Sequence, residues 1–147
     1  MLRSQRLQVV LRLEEQKEQQ ALEKMAEAQQ AHEAQLQQVA SLEGYQQEYR
    51  NQIRANQQGV VPVSRLQAWQ AFIAQLDQVI AQQQTLLEQA RKKLDGCREQ
   101  WQKAWERRRG MEKYLETCRR QEQRDQDLRE QKLADEASNR IYQRRRR

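Results

Sequence analysis

The sequence predicts an all-α fold: an antiparallel two-helix coiled coil, made as a single long hairpin. Three observations predict it. Strong helix formers dominate the 147 residues, against four glycines and one proline. That proline, Pro62, lies close to Gly59 in QQGVVPVSRL, the one stretch built to stop a helix. Downstream of it, apolar residues recur on alternating steps of three and four over about seven heptads.

Length and composition set the frame for each element. A chain of 147 residues is read as one domain, spanning 1–147. Charged residues make up 33%, aromatics only 5%, and the mean hydropathy is −1.23, too polar for a multilayer core. Long helices whose narrow apolar seams bury only each other fit this composition.

The first helix is expected over 3–56, about 80 Å long at about 1.5 Å per residue. Its seam candidates are Leu11, Glu15, Glu18, Leu22, Met25, Gln29 and His32, then Leu36, Val39, Leu42, Tyr45, Tyr49 and Ile53. The spacing from Val39 through Leu42 to Tyr45 breaks the heptad, like a stammer. The turn is expected over 57–63. Gly59 supplies a left-handed residue that closes the helix, and Pro62 blocks its continuation. Ser64 is expected as the next N-cap, with Gln67 completing a capping box.

The second helix is expected over 64–140, on the order of 115 Å. From Leu66 to Cys118, fourteen of the sixteen seam positions are apolar, the exceptions being Gln83 and Arg108. The short connection folds the helices back as antiparallel neighbours. That register sets Ile53 beside Trp69, Leu36 beside Leu87 and Leu11 beside Met111. It sets Glu15 beside Arg108 and position 4 opposite Cys118, where the seam ends. The rest of the second helix overhangs without a partner, and the basic tail 141–147 is expected to be disordered.

Several functions are set aside by what the sequence lacks. No apolar run reaches the roughly 18–20 residues of a membrane span. The N-terminal MLRSQRLQVVLRLEEQ is too charged for a secretory leader. Two cysteines, Cys97 and Cys118, form no disulfide framework and point to a reducing cytoplasm. There is no phosphate-cradling glycine loop, and a two-helix hairpin offers no cleft to perturb carboxylates. No catalytic residue, cofactor or metal site is expected. The lone His32 is read as a seam residue, and the cysteines as small buried apolar groups.

Two features rise above a plain coiled coil. With Leu66 as position a, three successive g positions are apolar: Phe72, Val79 and Leu86. Charged residues are usual there. Tyr45 and Tyr49 lie near Trp69 and Phe72 in the same register. The stripe is either a widened seam or a partner surface, and aromatics exposed beside a dry seam favour the second. The other feature is a basic end within a net charge of +6. Arg3, Arg6 and Arg12 gather with Arg107 to Arg109, Arg119, Arg120, Arg124 and Arg129. Charge runs are usually solvated faces, but an unpaired overhang at the same place favours docking into an acidic site.

YQQEYR (Tyr45 to Arg50), a glycine-containing turn and WQAFIAQLDQVI (Trp69 to Ile80) together resemble the FliJ family of the bacterial flagellar type III export apparatus. KLADEASNR (Lys132 to Arg140) extends the likeness over nearly the whole chain. The resemblance implies an antiparallel coiled coil similar to the central stalk of rotary ATPases. It implies a non-enzymatic coupling role with three partners: the hexameric flagellar export ATPase, the cytoplasmic part of the export gate FlhA, and export chaperones. It further implies a cytoplasmic location, peripheral at the inner membrane of the flagellar base. The family's gate-binding patch maps to Gln38, Leu42, Tyr45, Tyr49, Phe72 and Leu76. It continues to Val79 and Gln83, where a well-known relative has a smaller residue and a histidine. Arg3, Arg6, Arg119, Arg120, Arg124 and Arg129 match the end that docks in the ATPase ring.

Two alternatives stand beside this expectation. One is the equivalent stalk protein of an injectisome secretion system. The other is a basic coiled coil that binds nucleic acid. Asp125, Asp127, Glu130, Asp135 and Glu136 interrupt the basic stretch and weigh against the latter, so no nucleic-acid partner is expected.

Overall fold

The computed structural model describes residues 1–57 and 59–146. Two helices account for nearly all of them: α1, Arg3–Asn56, and α2, Val63–Arg146. The described residues include no strand, and the helices pack against each other as an antiparallel hairpin. Gln58 in the expected turn and Arg147 in the expected tail lie outside the described residues.

The turn follows from its two special residues. Gly59 has φ of 115°, a left-handed conformation that a side chain would strain. The carbonyl of Pro62 accepts the N–H groups of Arg65 and Leu66 at 3.1 and 3.2 Å. Pro62 therefore caps α2 in place of Ser64, and the helix starts at Val63. The proline has no N–H to leave unsatisfied and its ring fixes the entry angle.

At its other end α2 continues to Arg146, past the end expected near 140 and through most of the tail expected to be disordered. Arginine and glutamine favour helix, and a cluster of cations suits the negative end of the helix dipole.

Contacts divide the chain into two units: Gln20–Gln102, which holds the turn, and Met1–Gln19 with Lys103–Arg147. In the turn unit, α1 turns Ala21, Met25, Ala28, His32, Gln35 and Val39 inward, then Leu42, Gln46, Tyr49 and Ile53. This is an unbroken heptad, and the expected stammer is absent. Leu22, Gln29, Leu36 and Tyr45, expected in the seam, are exposed. A strict 3–4 period keeps one stripe facing the partner, and choosing the larger apolar neighbour would swing the stripe away from α2. Small residues at 21 and 28 also suit an α2 seam that carries Ile80, Leu94 and Trp101. The two inward glutamines are satisfied: Gln46 donates to Asp77, and Gln35 donates to the backbone and side-chain oxygens of Gln83 at 3.0 and 2.8 Å.

In the terminal unit, Ser4, Leu7, Leu11, Glu14 and Glu18 turn inward from α1. Leu115 of α2 is the most enclosed, at 2% exposure. Arg108 pairs with Glu18, not with the exposed Glu15, and its other nitrogen lies 2.8 Å from Glu112. The heptad again decides, since 18 lies on the seam and 15 beside it. The paired region also runs one turn beyond Cys118. Glu122 accepts the Ser4 hydroxyl at 2.6 Å and the Ser4 N–H at 3.0 Å, so a carboxylate from α2 caps the start of α1. Gln5 completes that cap by accepting the Leu2 N–H at 3.2 Å.

Candidate functional site

The turn unit carries the first candidate surface. With the seam at heptad positions a and d, the two flanks of the unit differ in chemistry. Along the e flank, polar groups bridge the helices: Gln84 donates to Glu43 at 3.1 Å, and Arg50 lies 3.8 Å from Asp77. Beside them an open cleft of about 290 Å³ is lined by Arg50, Ile53, Arg54, Leu66, Trp69 and Ile73, among others. Along the g flank aromatics meet instead. The Tyr49 and Phe72 rings lie 4.5 Å apart, tilted by 58°.

All eight expected patch residues fall in this unit, on the g side of the seam or in the seam itself. Gln38 and Tyr45 are exposed, and Tyr45 reaches 54% because it has left the seam. Leu42, Tyr49, Phe72, Leu76, Val79 and Gln83 are half-buried. Gln83 is the least available of them, since Gln35 holds its amide oxygen. Val79 and the 47%-exposed Leu86 carry the apolar line on from Phe72.

The terminal unit carries the second. Beyond Glu122 every described residue of α2 is exposed, including Leu128, Leu133, Ile141 and Tyr142. Glutamines hydrogen-bond acids one turn ahead, Gln123 to Asp127 at 3.0 Å and Gln126 to Glu130 at 3.2 Å, which supports a helix with no neighbour. Of the expected docking arginines, Arg3 lies over the Tyr114 ring at 5.3 Å. Arg119 donates to Gln8 at 2.8 Å, and Arg120 to Glu116 at 2.6 Å. Arg6, Arg124 and Arg129 are exposed. The Glu122 carboxyl is held below its ordinary range by the Ser4 hydroxyl first and the Ser4 N–H second.

Among the described residues no group of three or more His, Cys, Asp or Glu side chains could hold a metal ion. Cys97 and Cys118 are free and half-buried in the seam, as is His32.

The residues that the resemblance to an export protein singled out thus fall on the g side of the turn unit and at the exposed end of α2 with the start of α1. A family model described as Flagellar FliJ protein matches residues 3–147. The chain belongs to the FliJ family. No curated protein and no solved structure matches it. Membership in the FliJ family makes the chain a flagellar protein associated with type III export. No helix among the described residues is long and apolar enough to cross a membrane.

Sequence spacing did not reveal Gln35, Gln46, Ser4 or Glu122 as seam partners, because each is polar. Extending the strict heptad through α1, regardless of hydrophobicity, reaches Gln35, Gln46 and Ser4, and one more step past Cys118 on α2 reaches Glu122.

Proposed function

We propose that this FliJ-family chain is a non-enzymatic coupling protein of the flagellar export apparatus, of the stalk type. The overhanging end of α2 docks in the central hole of the hexameric export ATPase and promotes its assembly and activity. Arg3, Arg6, Arg119, Arg120, Arg124 and Arg129 supply the charge that an acidic lining would attract. The g-flank patch around Tyr45, Tyr49, Phe72 and Leu76 docks on the cytoplasmic part of the export gate FlhA, and the chain also handles export chaperones. It works peripherally at the cytoplasmic face of the inner membrane, at the flagellar base.

The observation that carries this proposal is the uncovered end of α2. From residue 123 to 146 the helix exposes apolar and basic side chains together, with no neighbour in the unit. A helix of that kind gains stability chiefly by docking. Purified chain added to the purified export ATPase should raise its ATP hydrolysis and its fraction of hexamers. A well-formed ring whose activity and assembly do not respond would overturn the ring-docking role.

A further inference from the structure

The g flank of the turn unit carries no acid. On α1 its positions are Lys24, Ala31, Gln38, Tyr45 and Gln52. On α2 they are Arg65, Phe72, Val79, Leu86 and Lys93. The middle of this surface is neutral and apolar, and both ends are cationic. The outer row of α2 beside it is Ala68, Gln75, Gln82, Gln89 and Gly96, with no charge at all. The corresponding row of α1 holds Glu27 and Glu48, separated by Ala34 and Ser41. The e flank differs: Arg50–Asp77 and Gln84–Glu43 contacts bridge it nearer the turn, and farther along it the exposed Leu36 and Leu22 are separated by Gln29 and accompanied on α2 by Arg91 and Arg98. A coiled coil that faces water normally carries charge on both flanks. Here the e flank mixes isolated leucines with polar and charged residues, whereas the g flank of α2 is apolar over three successive heptads and half-open.

The spacing describes the missing neighbour. Phe72, Val79 and Leu86 recur every heptad, so their knobs line up along the α2 axis over about 21 Å. Tyr45 stands out beside them at 54% exposure and Leu86 at 47%. A row of knobs at this period fits a helix laid alongside, as in a three-stranded coiled coil. The cations at the two ends then call for acids near both ends of that helix. A second copy of the chain does not fit, because it would set Arg65, Lys24 and Lys93 against the same cations.

We infer that the g flank of the turn unit receives one acidic amphipathic helix from a partner, which packs as a third strand from Phe72 to Leu86. This inference rests on the patch being the gate-binding surface, and it states what that surface grips. It also extends the contact to Leu86, Lys24 and Lys93, outside the eight patch residues. A free segment of about four turns is marginally helical, so it folds as it binds.

The test uses the full chain and three synthetic peptides of about 21 residues, all of one length. The first has leucine and isoleucine at a and d with glutamate near both ends. The second replaces those glutamates with lysine. The third scrambles the first, which keeps composition and removes the heptad. Calorimetry and circular dichroism should show the acidic helix binding with a gain in helicity, at least about tenfold tighter than either control. Leu86→Gln should weaken it about fivefold or more, and Lys24→Glu with Lys93→Glu should reverse the preference between acidic and basic peptides. Equal binding of the scrambled peptide overturns the inference, as does indifference to Leu86→Gln. Sedimentation showing that the chain self-associates through Leu86 also overturns it. A fragment of the cytoplasmic gate, titrated in parallel, separates the two ideas. Gate binding that Phe72→Ala weakens and Leu86→Gln spares leaves the patch standing and removes the third helix. A gate fragment that does not bind, beside an acidic helix that does, removes the gate and leaves the helix.

Discussion

Among the described residues of the terminal unit, Arg108 is the one cation held in the seam, with Glu18 and Glu112 both on its guanidinium. Their carboxylates hold that charge more firmly than usual, Glu18 contributing most. Removing Glu18, the contact from α1, leaves the half-buried guanidinium with only part of its hydrogen bonding, through Glu112. Glu18→Ala should therefore lower unfolding stability by about 1–2 kcal/mol in chemical denaturation. Glu18→Leu combined with Arg108→Leu should restore stability or exceed it, since apolar pairs replace such ion pairs at little cost. The Ser4–Glu122 cap makes a different prediction. The folded carboxyl titrates below its unfolded value of about 4.3, so its stabilising contribution is complete above that pH. It is lost as pH falls through the lowered folded value. The Ser4 amide resonance should hold its hydrogen-bonded position at neutral pH and move only once pH falls below the ordinary carboxylate range, and Glu122→Gln should abolish that movement.

At the scale of elements, α2 was legible because its seam residues are apolar and large, so period and hydrophobicity gave one answer. In α1 they disagree. Leu22, Leu36 and Tyr45 are the larger apolar residues, yet Ala21, Gln35 and Gln46 face the partner. The period prevails because the seam must face α2 along its length, whereas a single exposed leucine costs little. The start of α2 was misplaced by one residue because capping by a proline carbonyl leaves no side-chain signal. Glycines inside the helices are a further liability. A Cβ built at Gly96 meets nothing within 4 Å. Gly96→Ala should therefore raise the thermal midpoint, by the equivalent of about 0.5–1 kcal/mol.

For the molecule as a whole, family membership could be read from the motifs around the turn together with the length of the chain. The candidate surfaces were legible in part. Three apolar residues at g are visible as a departure from coiled-coil habit. The 54% exposure of Tyr45 was not, because it depends on which α1 residues win the seam. The division of labour between the two units is the claim on which the functional account turns. Truncation after Glu122 keeps the Ser4 cap and removes only the exposed end of α2, and Phe72→Ala with Leu76→Ala alters only the turn unit. Binding of both variants to the export ATPase ring and to the cytoplasmic gate fragment is the most direct measurement. The account predicts a crossed result: the truncation loses the ring and keeps the gate, and the double substitution weakens the gate about tenfold or more and keeps the ring. Equal loss of the same partner by both variants would contradict it.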